Sequence, residues 1–416
     1  MQSLRLRSPL RPNAQLRPPG SKSLSNRALL LAAMAEGSTT IRGLLDAEDT
    51  QVMLHCMTRL GIWYQRERIG QGKLEDGVVV EGTAGTMGGE EAGSRPNIDV
   101  ATAGTVARFL TAVLAAAPKP GWSTVTIDGS ARMRERPMDT LLASLTELGA
   151  NIEALGKPGA LPCRIQAARG ISGGTLQLDE LASSQFVSAL VIAGSWSRIP
   201  LRLVLRKGTP ARPYVDMTLD MLARFGGRAG WVKPGPGEFG EVLAIEPSEL
   251  RAPSAPIVIE PDASAASYLL ALPVIWGGSV TVPELGRKST QGDAKFCEVL
   301  ARFGAEVEQD DHTTKVSRGS KLRGCKGNNS WRSRITRSAC SEPWLSGGAG
   351  SAAFKLMPAS LMAMCNCASA LACEVPRSAS SGNLNSTRPP GWNSPRRQSR
   401  SRSSEPPACA VACPRH

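Results

Sequence analysis

The chain has 416 residues and 41% of them are hydrophobic, enough for two or three domains with cores of their own. No stretch approaches the roughly 18 apolar residues that a membrane-spanning helix requires. The arginine-rich residues 1–16 lack the apolar core of a signal peptide. The composition excludes an integral membrane protein, and we expect a cytoplasmic protein.

The positive charge of the chain is confined to its last quarter. The formal net charge is +13, but residues 318–416 hold 15 Lys and Arg against 3 Asp and Glu, which leaves 34 basic and 33 acidic residues before them. Cysteine is distributed in the same way, because only Cys56, Cys163 and Cys297 precede residue 318. Three scattered cysteines suit a reducing compartment.

The first predicted element is a buried helix around residues 28–35 (ALLLAAMA). The turn before it carries the cations Lys22 and Arg27 and the hydroxyls of Ser23 and Ser25. Free N–H groups at a helix start, together with the helix dipole, favour phosphate or carboxylate. The stretch therefore predicts an anion clamp; the alternative is that Ser25 caps the helix and the cations face water.

Later elements alternate short β-rich runs with helices. A strand is predicted over 257–259, and helices over 105–117, 138–148, 187–194, 214–225, from about 260–264 through Leu272, and over 293–303.

The helices belong to an internal repeat. A helix stops at a glycine four times, at Gly61, Gly149, Gly226 and Gly304, with spacings of 88, 77 and 78 residues. This period predicts an α/β unit of strands and two helices that the chain uses four times.

Hydrogen-bond donors recur at four turns or helix starts. These groups are Lys22/Ser23/Arg27, Gly104/Thr105/Arg108, Arg132/Arg134/Arg136 and Ser183/Ser184/Gln185. Taken singly, Ser183 and Ser184 could cap a helix and Arg136 could pack over its neighbours. Their recurrence at equivalent ends of the repeated units predicts one shared cleft for a polyanionic small molecule.

Metal and cofactor chemistry finds no support in the sequence. The three histidines, His55, His312 and His416, do not stand at ligand spacing with cysteine or carboxylate. No Walker loop or dinucleotide fingerprint follows a predicted strand. We expect neither a bound metal nor a cofactor.

The pattern fails after about Gly324. Serine, arginine, cysteine and proline crowd together, and only residues 352–372 are apolar enough for a helix. We expect residues 325–416 to form a disordered, low-complexity tail. A non-enzymatic alternative is that this basic tail binds nucleic acid, although it lacks the aromatic platform that single strands favour.

Seven motifs follow one another in the order of a known family: PGSKSLSNRALLLAAMAEG, ATAGTVARFL, DGSARMRERPM, SSQFVSALVIAG, RPYVDMTLDML, IEPDASAASYLLA and LGRKSTQGDAKF. Together they resemble the 3-phosphoshikimate 1-carboxyvinyltransferases, also called EPSP synthases, over about three quarters of the chain. The resemblance implies the two-domain enolpyruvyl transferase fold of repeated βαβαββ units. Residues 20–240 would form the first domain with three repeats, and 1–19 plus 241–324 an incomplete second domain.

The resemblance also implies a reaction. The family transfers the enolpyruvyl group of phosphoenolpyruvate to the 5-hydroxyl of shikimate 3-phosphate and releases phosphate, without a metal or cofactor. Matched by motif, Ser23 and Arg27 would hold shikimate 3-phosphate, Ser183 and Ser184 would take its phosphate, and Tyr214 would line its side of the site.

The same matching assigns the remaining site residues. Lys22, the one catalytic candidate, would contact both substrates, as would Gln185. Gly104 and Arg132 would bind phosphoenolpyruvate. Oriented donors of this kind supply electrostatic stabilisation.

Departures from the family are concentrated at the C-terminal end. Thr102 replaces a usual asparagine, and Ala211 a common serine. The MNxxPDAA and NWRVKETDR segments, which carry the acid–base aspartate and glutamate, have no counterpart. The tail after about residue 324 looks like translation in a wrong reading frame. We therefore expect an incomplete second domain and little turnover.

Two further expectations follow from the resemblance. The related UDP-N-acetylglucosamine enolpyruvyl transferase is the second enzymatic interpretation, but the SSQF and RPY motifs are of the shikimate type. Small-molecule substrates, a monomeric state, and no membrane or nucleic-acid partner complete the prediction.

Overall fold

A computed structural model of the protein describes residues 13–68, 76–87, 95–167, 170–179 and 183–320. All of these belong to one compact unit, Met1–Met364. The predicted tail, residues 325–416, lies outside the described residues.

The helices in the described part are α1 Lys22–Met34, α2 Glu48–Arg59, α3 Gly104–Ala116, α4 Ala131–Arg134, α5 Asp139–Glu147, α6 Ser184–Gly194, α7 Arg212–Arg224, α8 Ala263–Trp276 and α9 Phe296–Arg302, with a 3₁₀ turn at Gly292–Lys295. None of them is long and apolar enough to cross a membrane.

The strands in the described part are β1 Asn13–Gln15, β2 Glu36–Arg42, β3 Tyr64–Arg68, β4 Asp76–Thr83, β5 Thr86–Met87, β6 Asn97–Asp99, β7 Lys119–Pro120, β8 Thr124–Asp128, β9 Ile152–Ala154, β10 Cys163–Gln166, β11 Gly174–Leu178, β12 Leu201–Leu205, β13 Arg228–Val232, β14 Glu241–Glu246, β15 Ile257–Val258, β16 Ser279–Pro283, β17 Glu306–Gln309 and β18 Thr313–Ser317.

Four sheets of four strands share one topology. Their orders are β15-β2-β4-β3, β6-β8-β10-β9, β11-β12-β14-β13 and β1-β16-β18-β17. In each sheet the first pair is parallel and the next two pairs are antiparallel. A parallel pair needs a long crossover, which a helix supplies. The repeated unit predicted from the glycine spacing is therefore confirmed.

The first and fourth units exchange their first strands. β1 directly precedes α1, yet it pairs with β16, whereas β15 precedes α8 and pairs with β2. The two crossing segments lie side by side, because Ser21 N donates to Glu260 O at 2.8 Å and Asp262 N to Pro19 O at 2.8 Å. A Cβ at Gly20 would collide with the carbonyl of Gly43, so only glycine fits this crossing.

Buried apolar residues form two separate clusters. The larger extends from Leu24 to Ile259, and the smaller from Ala263 to Val316. β14 and β15, which follow the predicted boundary at residue 240, pair within sheets of the larger cluster. The division into domains remains a prediction.

Helix α8 is covered less completely than its counterparts. α1, α3 and α6 are buried on nearly every face, as expected for helices that are apolar all round. α8 contains no charged residue, but of its 14 residues only Ala263, Ala266, Leu270, Ala271 and Pro273 are buried. The remaining apolar side chains of α8, including Leu272 and Ile275, are half-buried.

Several helix boundaries differ from those predicted. α1 begins at Lys22, and Ser25 does not cap it; its hydroxyl instead accepts from Leu45 N at 3.1 Å. α7 begins two residues early, because Pro213 fits the first turn of a helix. α8 passes through Pro273 to Trp276 instead of ending at Leu272. The segment predicted over 293–303 divides into the 3₁₀ turn and α9.

Because α8 is buried on one face and half-buried on the other, we predict that substitutions at two nearby leucines differ in their effect on stability. Leu270→Gln should lower the free energy of unfolding by about 3 kcal/mol, since it buries an unpaired amide at a side chain that is 3% exposed. Leu272→Gln should cost less than about 1 kcal/mol, because its face is half open. Urea unfolding followed by circular dichroism compares the two. Equal losses would mean that the outer face of α8 is fully covered.

Candidate active site

One buried guanidinium joins four helices. Arg27, in the second turn of α1, is 2% exposed. Its Nε donates to Thr218 Oγ1 at 2.8 Å, and its Nη2 to Tyr214 O at 2.9 Å and Ser188 Oγ at 3.3 Å. Its Nη1 donates to Ser23 O at 2.8 Å, and the group lies 5.2 Å from the centre of the Phe109 ring. α1, α3, α6 and α7 are thereby fixed to one another.

Arg27 has no carboxylate among these partners. Burial is the larger influence and lowers the pKa of Arg27 to about 10. The electrostatic interaction with Tyr214 acts in the opposite direction and is smaller. The donors that the structure shows in use all go to the protein's own oxygens. Contact between Arg27 and a ligand therefore remains a prediction, whereas its role in packing is visible.

The first turns of these helices meet at one end of the bundle. Because Arg27 joins their second turns, their N-termini lie side by side. Most of the predicted site residues sit on these turns or immediately before them: Lys22, Ser23, Gly104, Ser183, Ser184, Gln185 and Tyr214. Adjacent helix N-termini favour negative charge. The structure therefore brings the predicted donors together on one face.

A second buried guanidinium links three parts of this face. Arg108 of α3 is 4% exposed; its Nη1 donates to Gly104 O at 3.0 Å and Gln185 Oε1 at 2.8 Å, and its Nη2 to Pro137 O at 3.2 Å. Its Nε is buried without a partner in the described structure. Burial, and then the charge of Arg136, lowers the pKa of Arg108 to about 10. The pair Arg108 and Arg136 concentrates positive charge at Gly104.

The three arginines of the predicted turn have different surroundings. A Cβ at Gly104 would collide with Arg136 Nη1, and that nitrogen also lies 3.4 Å from Thr102 O. Arg134 forms a two-pronged pair with Asp128 at 2.8 and 2.6 Å, which holds the pKa of Asp128 below its usual value. Arg132 is exposed and its side chain bonds to no described residue. The structure therefore places Arg136 beside Gly104, and the binding role of Arg132 remains a prediction.

The two serines of α6 differ in role. Ser183 is the N-cap, and its hydroxyl accepts from Gln185 N at 3.2 Å, which leaves its own hydrogen free to donate. Ser184 is 6% exposed in the first turn. The predicted capping function and the predicted donor function are thus compatible at Ser183.

Lys22 is held by carboxylates. Its Nζ lies 3.5 Å from Asp49 Oδ2, and its backbone N donates to Asp262 Oδ2 at 3.3 Å. The Lys22 side chain is 49% exposed, so the ion pair with Asp49 contributes little to stability. An approaching anion can reach the ammonium group from solvent.

Acidic groups of the smaller core face this end of α1. A cavity of about 20 Å³ is lined by Ser23 and Tyr214 on one side and by Asp262, Ser264 and Asp293 on the other. Burial, followed by the two aspartates, raises the pKa of Tyr214. The tyrosine hydroxyl therefore stays protonated and can donate a hydrogen bond. The sequence did not reveal these aspartates, because nothing local relates them to Tyr214.

The cysteines in the described part of the chain are buried. Burial is the main cause that raises the pKa of both Cys56 and Cys163 to about 12, so neither is a ready nucleophile. No group of three or more metal-ligating side chains occurs in the same residues.

Comparison with known proteins gives this geometry a context. The family model described as EPSP synthase (3-phosphoshikimate 1-carboxyvinyltransferase) matches residues 6–332, more than three quarters of the chain. The chain belongs to the EPSP synthase family. Its fold and reaction class, predicted above from seven motifs, are thereby confirmed: it is a member of a family of transferases of the shikimate pathway.

Solved structures of the family agree on the fold. Two structures of EPSP synthase from Acinetobacter baumannii, one described at 2.37 Å, align with this chain at a TM-score of 0.61 and 22% identity. In each case the alignment covers 77% of this chain and 68% of the other. The α/β architecture of repeated units is therefore that of solved EPSP synthases.

Proposed function

We propose that this chain binds shikimate 3-phosphate and phosphoenolpyruvate on the shared face of α1, α3, α6 and α7, as substrates of enolpyruvyl transfer. The observation that carries the proposal is the convergence of these helix N-termini, fixed by Arg27. Both ligands are phosphorylated carboxylates, and the face offers N–H groups, hydroxyls and cations. Each charge-assisted hydrogen bond contributes roughly 1.5–3 kcal/mol.

The shikimate side is formed by α1, α6 and α7. Ser23 and Tyr214 line the same small cavity, and Ser183 and Ser184 lie at the start of the neighbouring α6. In the proposal the serines of α6 take the phosphate, while Ser23 and Tyr214 face the ring and its carboxylate. Arg27 stabilises this arrangement by donating a hydrogen bond to the Tyr214 carbonyl.

The phosphoenolpyruvate side is formed around Gly104. Arg136 replaces Arg132 in this part of the proposal, since Arg136 is the arginine beside Gly104. Glycine lets an anion approach the N-terminus of α3 without a Cβ in its path. Lys22 and Gln185 stand between the two sides and would contact both ligands.

Turnover is expected to be slow. The MNxxPDAA and NWRVKETDR segments of the family do not occur in the sequence, and the groups they supply perform proton transfer. Losing a general acid or base typically lowers a rate by about 10²–10⁴-fold. We therefore expect this chain to bind the substrates and to convert them slowly. A cytoplasmic, monomeric protein remains part of the proposal.

Two alternative functions that the sequence allowed receive less support. The family match names the shikimate enzyme and not the UDP-N-acetylglucosamine enzyme. Binding of nucleic acid would depend on the basic tail, outside the described residues, whereas the proposed substrate site is built from helix ends in the described part.

The proposal makes a prediction for the purified full chain. Calorimetric titration should show binding of shikimate 3-phosphate. Phosphate release with both substrates should be at least about 100-fold slower than in an EPSP synthase that contains the MNxxPDAA and NWRVKETDR segments. No heat of binding would contradict the proposed substrate. Phosphate release at the reference rate would contradict the predicted loss of acid–base groups.

A second prediction separates two neighbouring arginines. With shikimate 3-phosphate saturating, Arg136→Met should weaken binding of phosphoenolpyruvate by about 10-fold or more, because it removes a charge-assisted contact at Gly104. Arg132→Met should change it by less than about 2-fold, since Arg132 is exposed. Calorimetry on both variants measures this. The reverse order of effects would restore Arg132 as the binding residue.

A further inference from the structure

Gln185 has a side-chain amide whose two ends have different surroundings. Its Oε1 accepts from Arg108 Nη1 at 2.8 Å. An arginine can only donate, so the oxygen must face Arg108 and the Nε2 group must point the other way. No described residue bonds to Nε2. The two Nε2 hydrogens are therefore available on the outer side of the amide.

The Arg108 side chain is itself held in one position by its contacts. Its guanidinium donates to the carbonyl of Gly104, at the start of the same helix α3, and to the carbonyl of Pro137, outside that helix. The group lies 5.2 Å from the centre of the Phe186 ring, and the residue is 4% exposed. Swinging it away would break its bonds to these two carbonyls and to Gln185 and would leave a buried cation without them, which is costly.

We propose that Arg108 is a positioning residue: it fixes the Gln185 amide so that the Nε2 donors, and not the oxygen, face the anionic ligands. This inference rests on the proposed function for the identity of the ligands, but not for the orientation itself. A free amide could present its oxygen to a phosphate or carboxylate, which is repulsive. Anchoring the oxygen removes that orientation before a ligand arrives.

Direct contact between Arg108 and a ligand does not account for the geometry as well. Both of its Nη atoms already donate to protein oxygens, and the remaining Nε is buried. Arg108 therefore acts through Gln185. This distinction is measurable, because an effect transmitted by Gln185 must vanish once Gln185 is removed.

The first test uses the ligand-free protein. In a nitrogen-15 NMR spectrum, the side-chain amide pair of Gln185 is assigned by its absence from Gln185→Ala. Arg108→Met should shift or broaden this pair, and Arg134→Met, which removes a paired arginine on the surface, should leave it unchanged. An unmoved Gln185 pair in Arg108→Met would overturn the proposal. This readout does not depend on whether the chain binds the proposed substrates.

The second test is a double-mutant cycle. Phosphoenolpyruvate is titrated with shikimate 3-phosphate present: Arg108→Met should weaken binding about 10-fold in the native background and less than about 2-fold in the Gln185→Ala background. Equal losses in both backgrounds would mean that Arg108 contacts the ligand and would overturn the proposal.

A nearly isosteric variant protects the test against misfolding. If Arg108→Met does not fold, Gln185→Glu keeps an oxygen for Arg108 but turns the outer side into an acceptor, so binding should fall by at least about 10-fold. Native-like affinity in Gln185→Glu would overturn the proposal. If native protein binds neither substrate, the proposed function fails, while the NMR comparison of ligand-free native protein with Arg108→Met still decides the orientation.

Discussion

The guanidinium of Arg27 is the contact on which the rest of the site depends. A buried cation is tolerated only when its N–H groups find acceptors, and here those acceptors lie on α1, α6 and α7, with the Phe109 ring of α3 beside it. Satisfying Arg27 therefore fixes the relative positions of four helices at their N-terminal ends. That alignment favours negative charge at this face, because helix N-termini are weak donors singly and stronger ones together.

The second constraint is the exchange of strands between the first and fourth units. Since β1 pairs with β16 and β15 with β2, the segments at Ser21 and Asp262 run side by side. This brings Asp262, the N-cap of α8, to the backbone N–H of Lys22. A carboxylate therefore stands at the start of α1, where an anionic ligand would also bind. Asp262 thus adds an acidic group to a face whose other polar groups are N–H groups, hydroxyls and cations.

The repeat and the grouping of polar residues at helix starts could be predicted from the sequence, because helix-stopping glycines and runs such as PGSKSLSNR are local signals. The strand exchange could not, since β1 and β15 are two or three residues long and their partners lie over 200 residues away. The positions of Arg132 and Arg136 relative to Gly104 were equally beyond local reasoning. Both follow the same turn, and only the packing of α3 against that turn places Arg136 at Gly104.

Helix boundaries show a similar limit. Proline predicts a helix end, yet Pro273 lies within α8, where its ring is accommodated and the helix continues to Trp276. Ser25 looked like a cap because it precedes an apolar run, but the helix had already begun at Lys22. In both cases tertiary packing overrode a local preference. The donor pattern survived these errors because it depends on which end of each helix carries the polar residues.

The most direct test of the central claim is a crystal structure of the full chain with shikimate 3-phosphate. Our account predicts one ligand molecule against the first turns of α1, α6 and α7, with its phosphate within hydrogen-bonding distance of Ser183 and Ser184. Density for the ligand on any other surface, or helix starts that point to separate faces of the molecule, would contradict it.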